Sequence, residues 1–121
     1  MIAFFEIPTK DFKKSVAFYQ TLFGEQLAIF EFGDEKMACF MKDGKSIGSI
    51  SSAPSFNGFT PSKCCVLVYF ATDDIEGDVK RATANGATLF TPKTKIQVEG
   101  WGYFAIIEDP VSNRIGLYDE K

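Results

Sequence analysis

Histidine is absent from this chain of 121 residues. Its absence removes imidazole general-base catalysis, Ser-His-Asp and Cys-His machinery, and every histidine-ligated metal site together. Cysteine is scarce: Cys39, Cys64 and Cys65 make an odd count without CxxC spacing. Adjacent cysteines rarely bridge each other, so neither a disulfide framework nor a zinc knuckle is indicated, and a reducing, cytoplasmic setting is expected. A basic stripe is missing as well. The 13 Lys and Arg stand against 16 Asp and Glu, a net charge of −3, which offers little to release counterions from phosphates and argues against a nucleic-acid partner. Long apolar runs are lacking: the longest, 64–71, is far below the ~20 residues a membrane span requires. The amino terminus has no basic region ahead of an apolar one, so neither export signal nor membrane partner is expected.

What is present suits one folded domain. Hydrophobic residues make up 45% and charged residues 24% of the chain, enough to bury a core and inconsistent with disorder. Residues 2–7 form a β-branched and aromatic run closed by Pro8 and read as a strand with Ile2, Phe4 and Glu6 on one face. From Phe12 the period changes. Phe12, Val16, Tyr19 and Phe23 form an apolar stripe along a helix that stops at Gly24, with Asp11 or Thr9 available as its cap. Three strand-like runs follow at 26–32, 36–42 and 46–52, separated by the turn pairs Gly33-Asp34 and Asp43-Gly44. The order is β-α-β-β-β.

A loop at 53–63 carries Phe56 and Phe59 among Ser, Pro, Gly and Asn, and reads as a linker or mobile flap. After it the pattern restarts: a strand at 65–70, a capping arrangement across Thr72, Asp73, Asp74 and Glu76, and a helix carrying Ile75, Val79 and Ala82 before Asn85-Gly86. A shift of 63 residues carries Phe12, Val16 and Tyr19 onto Ile75, Val79 and Ala82, and Asp11 onto Asp74. Strands at 87–91, 102–107 and 112–118 complete the second copy, with Pro110 suited to the second position of a type I turn. The chain therefore reads as one α+β domain, 1–121, of two βαβββ modules at 1–52 and 64–121 joined by 53–63.

Several stretches carry a family likeness: Phe5 to Asp11, Ser15 to Tyr19 with Phe23-Gly24, Val68 to Ile75, and Glu108-Asp109-Pro110 with Asn113 to Leu117. Together they resemble the vicinal oxygen chelate superfamily of glyoxalase I, extradiol dioxygenases and bleomycin resistance proteins, over nearly the whole chain. The resemblance implies a curled eight-stranded mixed sheet forming a cup, and a homodimer. It also implies metal ligands on the first and last strands of each module. Here those places fall on Phe4, Leu67, Gly116 and a residue near Gly48, none of which carries a donor. Divalent ions need oxygen, nitrogen or thiolate ligands, so no metal and no other cofactor is expected. Glu6, Asp34, Glu99 and Glu108 offer the alternative of an improvised oxygen site, although scattered carboxylates in an acidic protein more often sit on solvated surface.

What remains is a cup lined by carbon-rich side chains. If Phe4 and Leu67 face inward, alternation places Glu6 beside the first, and Cys65 and Tyr69 beside the second, while Arg114 and Tyr118 flank Gly116. Trp101 sits between glycines that let a large ring reposition, with Tyr103 close behind. The expected ligand-binding set is Phe4, Glu6, Phe56, Phe59, Leu67, Tyr69, Trp101, Tyr103 and Arg114. Against it stands the reading that most of the 13 Phe are core. Glu6 buried beside Phe4 would be raised toward a general base, or else is a rim carboxylate. Cys65 without a base is core filler before it is a nucleophile. Arg114 either grips an anion or lies exposed at a strand end.

Three functions follow from these residues. The first is a binder of a small aromatic or cationic molecule. The second is a metal-independent lyase or isomerase for a small carbonyl compound, with Glu6 and Tyr69 as catalytic base and acid. The third is a dimerising regulatory module.

Overall fold

The computed structural model describes residues 2–55, 59–64 and 66–121. The chain divides into two compact units, Met1–Pro61 and Ser62–Lys121. Among the described residues, no helix is long and apolar enough to cross a membrane.

In the first unit the order is β1 (Phe5–Pro8), α1 (Phe12–Phe23), β2 (Ala28–Phe32), β3 (Glu35–Lys42) and β4 (Lys45–Ser52). The sheet runs β1-β4-β3-β2, with β1 parallel to β4 and the other pairs antiparallel. The helix begins where expected. Asp11 accepts a bond from the Lys14 amide at 3.2 Å, and Thr9 Oγ1 accepts one from the Asp11 amide at 3.0 Å. It ends at Gly24, in the left-handed region at φ 67°, which glycine adopts without steric cost.

The buried face of α1 differs from the expected stripe: it is Ser15, Phe18, Tyr19 and Leu22. Phe12, Val16 and Phe23 form its half-buried shoulder. Ser15 can turn inward because its hydroxyl meets Thr9 Oγ1 at 2.6 Å, which removes the penalty for burying it. This face packs on Ile7, Ala38, Phe40 and Ile50, with the Phe40 ring 6.2 Å from that of Tyr19 and 6.3 Å from that of Phe23. Asp43 at φ 52° and Gly44 at φ 77° form the tight β3–β4 turn that this dipeptide favours.

The second unit repeats the order: β5 (Tyr69–Ala71), α2 (Ile75–Ala84), β6 (Thr88–Lys95), β7 (Tyr103–Glu108) and β8 (Arg114–Asp119), with sheet order β5-β8-β7-β6. Asp74 caps α2 by accepting from the Gly77 amide at 3.0 Å, which replaces the expected pairing of Asp73 with Glu76. Ile75 and Ala82 lie against a core of Ala105, Ile107, Ile115 and Leu117. The β7–β8 turn is held by Asp109, whose Oδ1 accepts from the amides of Val111 and Asn113 at 3.0 and 2.9 Å.

Three strand bounds depart from expectation by three residues or more. Strand β1 begins at Phe5 and β5 at Tyr69, where pairing with β4 and β8 begins. Strand β6 runs through Pro92 to Lys95, well beyond 91. It is an edge strand with register shifts between Leu89 and Thr91 and between Thr91 and Thr94. A proline is tolerated there because an edge or a bulge leaves an amide without a ladder partner.

Candidate binding pocket

Each sheet has one face against its helix and one face turned away from it. In the second unit the register fixes which residues share the latter. Tyr69 pairs with Gly116, Ile106 with Gly116, Phe104 with Tyr118 and Glu108 with Arg114. Alternation places all of these opposite the buried Ala105, Ile107, Ile115 and Leu117.

The hairpin loop between β6 and β7 then brings Trp101 over one end of this face. The Ile96 amide donates to the Gly102 carbonyl at 2.9 Å, the Trp101 amide to the Val98 carbonyl at 3.1 Å, and the Tyr118 hydroxyl to the Trp101 carbonyl at 2.6 Å. Gly102, at φ 82°, comes so close to β8 that an added Cβ would lie 2.1 Å from the Asp119 carbonyl oxygen. Only glycine fits there.

The result is a pocket of about 490 Å³ lined by Tyr69, Ile96, Trp101, Phe104 and Tyr118. Its size is that of a small-molecule site. Its lining is four aromatic rings and one aliphatic side chain, with Tyr69 and Phe104 edge to face at 6.4 Å. Tyr69 is 47% and Trp101 58% exposed, so two large rings stand open to solvent, where a ligand would desolvate them.

The expected ligand-binding residues separate. Tyr69 and Trp101 come together. Leu67 lies half-buried just ahead of β5. Tyr103 is a correction: it pairs with Asp119 and points to the helix side, where the Lys93 ammonium lies 4.8 Å from its ring centroid. Its neighbour Phe104 takes the place in the pocket, together with Ile96 and Tyr118. Register from Gly116 across to β7 would have found Phe104, but strand parity alone could not be anchored between the glycines around Trp101.

Arg114 is on the same face but at its far end. Its Nε donates to Glu108 Oε1 at 3.1 Å, and its guanidinium lies 3.6 Å from the Phe90 ring centroid. It is not the exposed strand-end arginine of the simpler expectation. Phe4, Glu6 and Phe59 belong to the first unit, where Phe4 is 55% exposed and Phe59 half-buried. Glu6 is exposed, as a rim carboxylate would be, and is not buried beside Phe4. Phe56 and Cys65 lie outside the described residues.

The positions that would hold a family metal can now be located. The Thr9 amide donates to the Ser51 carbonyl, and the Thr72 amide to the Tyr118 carbonyl. First strands thus repeat at 72 − 9 = 63 residues and last strands at 118 − 51 = 67, so the counterpart of Gly116 is Ser49, not Gly48. Gly48 lies on the helix side beneath the Phe5 ring, 2.2 Å from where its Cβ would be. Ser49 is buried with its hydroxyl 2.7 Å from that of Ser51. At Gly116 an added Cβ would lie 2.2 Å from the Tyr69 ring, which occupies the space a longer side chain would need. Phe4, Leu67, Ser49 and Gly116 do not fit a divalent ion. Among the described residues, no three Cys, Asp or Glu side chains gather as a metal site either.

The comparisons with known proteins agree with this architecture. The model of the Glyoxalase/Bleomycin resistance protein/Dioxygenase superfamily matches residues 1–117. The chain is 30% identical over 128 aligned residues to the anthracycline biosynthesis protein DnrV of Streptomyces peucetius, an alignment taking in 96% of this chain and 46% of that protein. It spans about half the length of the curated relatives it matches. Among solved structures, TnmS3, an antibiotic binding protein from Streptomyces sp. CB03234, is 25% identical with a TM-score of 0.71, covering 98% of this chain and 94% of that one. A glyoxalase/bleomycin resistance protein/dioxygenase family enzyme from Burkholderia phytofirmans PsJN shares the fold at 21% identity and a TM-score of 0.74, covering 99% and 98%. A β-α-β-β-β unit built twice, an aromatic pocket on its second sheet and a family match over almost every residue lead to one assignment: this chain belongs to the glyoxalase/bleomycin resistance protein/dioxygenase superfamily.

Proposed function

We propose that this chain binds a small aromatic molecule on the open face of its second sheet, without a metal ion. The observation that carries this reading is the pocket formed by Tyr69, Ile96, Trp101, Phe104 and Tyr118. Four rings around about 490 Å³ supply area and stacking geometry and almost no charge. Two relatives lend support: TnmS3 is an antibiotic binding protein, and DnrV serves anthracycline biosynthesis. The family's acid–base alternative, with Glu6 and Tyr69, has no comparable observation behind it. Glu6 is exposed, and the Tyr69 ring is spread over Gly116.

The test uses Trp101, the single tryptophan. Its emission should be quenched saturably by a fused tricyclic aromatic and hardly at all by an aliphatic compound of equal size. A flat response to a panel of fused-ring compounds would sink the reading.

The same proposal extends to a homodimer. Strand β2 is an edge of the first sheet, and Ile29, Phe30 and Phe32 on it are 48%, 50% and 53% exposed. Water-facing apolar side chains on an unpaired edge suit a second copy. Light scattering should give twice the chain mass, and Phe30→Lys should halve it; a monomeric unmodified chain would remove the extension.

A further inference from the structure

The open face of the second sheet continues past the aromatic pocket. Along β8 it presents Arg114, Gly116 and Tyr118 in turn, and along β7 their partners Glu108, Ile106 and Phe104. Gly116 has no side chain, and the Tyr69 ring lies over it in the middle of the face, beside Ile106. From Tyr118 to Arg114 is four residues, ~13 Å of strand.

At that far end stands a prepared cation. Phe90 is the extra residue between the β6 pairs Leu89–Ile107 and Thr91–Ile106, and the bulge puts its ring against the Arg114 guanidinium, 3.6 Å from ring centroid to carbon. Glu108 Oε1 holds Nε at 3.1 Å, and Glu108 Oε2 lies 3.6 Å from Lys63 Nζ. Lys63 and Arg114 against Glu108 leave one net positive charge. With Nε engaged and one guanidinium face covered, the Nη fork is the part of Arg114 left to offer a ligand among the described residues. A planar fork immobilised in this way suits the two oxygens of a carboxylate or sulfonate.

We propose that the ligand of this face is a flat aromatic compound carrying an acidic group, its ring stacked on Trp101 and Tyr69 and its anion at Arg114. This rests on the binding reading above and narrows it: a cationic ligand is disfavoured, because the Lys63–Glu108–Arg114 cluster, the one fixed charge cluster on this face among the described residues, is positive.

The experiment compares three probes on the intact chain: an anthraquinone sulfonate, its neutral hydroxymethyl counterpart and its aminomethyl ammonium counterpart. Each is followed by Trp101 quenching and by calorimetry at low and high salt. The sulfonate should bind about five- to twentyfold tighter than the neutral probe, with a preference that shrinks in salt. Arg114→Gln should bring the sulfonate-to-neutral ratio close to one, and Lys63→Gln should narrow it less. Equal binding of all three probes, or tighter binding of the ammonium, overturns the proposal and leaves the aromatic-binding reading standing. No quenching by any probe defeats that reading itself. Should Arg114→Gln not fold, as circular dichroism would reveal, the three-probe comparison and its salt dependence on the unmodified chain still decide.

Discussion

The two units share a topology and differ in what they do with the sheet face turned from the helix. In the first, Ser49, Ser51 and Cys39 occupy the middle of that face, all buried, and the two serine hydroxyls satisfy each other at 2.7 Å. In the second, Gly116, Tyr69, Phe104 and Tyr118 occupy it, with Trp101 added from the β6–β7 loop and two of the rings open to solvent. Small polar side chains that bond one another leave nothing to recognise a ligand. Exposed aromatic rings leave a great deal of area to be desolvated by one. The scaffold occurs twice, and the open aromatic face lies on the second copy.

A pair of glycines sharpens this contrast most strongly. Gly48 and Gly116 each sit 2.2 Å, at the added-Cβ position, from an aromatic ring. Gly48→Ala drives the Phe5 ring into its contact with Phe40, and overpacking there should cost about 1–3 kcal/mol in a denaturation experiment, with ligand affinity intact. Gly116→Ala lifts the exposed Tyr69 ring instead, so stability should fall by less than about 1 kcal/mol while calorimetric affinity for a fused-ring compound drops about tenfold. Similar behaviour of the two variants would break the comparison.

Trp101→Ala should weaken the same ligand by about ten- to a hundredfold and leave the melting temperature nearly unchanged, since the ring is 58% exposed. Ser51→Ala, by contrast, strands the buried Ser49 hydroxyl and should cost about 1–3 kcal/mol of stability with no change in affinity. The smallest effect is Tyr118→Phe. It removes the hydroxyl that holds the Trp101 carbonyl at 2.6 Å, so about 0.5–1.5 kcal/mol of stability and a few-fold of affinity should go, both measurable by calorimetry.

Much of the architecture was legible from local chemistry. Asp11 and Gly24 bracket the first helix because one caps amides and the other takes positive φ, and both are properties of single residues. Asp43-Gly44 announces its turn for the same reason. The site was less legible because it depends on registers. Tyr103 and Phe104 are adjacent aromatics, and only the pairing of Phe104 with Tyr118 decides which enters the pocket. Ser49, not Gly48, answers to Gly116 because the last strands repeat four residues out of step with the first. Ser15 falls outside the apolar stripe of α1, and its burial depends on the bond to Thr9, which helix periodicity does not reveal. Arg114 could not be joined to Phe90 in advance, since a bulge in β6 makes the contact.

The most direct test is nuclear magnetic resonance of the isotope-labelled chain titrated with a fused-ring aromatic, because one tryptophan gives one indole signal. The account predicts that the Trp101 indole and the amides of Tyr69, Phe104 and Tyr118 shift together on one saturation curve while those of Ser49 and Ser51 stay still. Shifts centred on Ser49 and Ser51, with the indole unmoved at saturation, would contradict it.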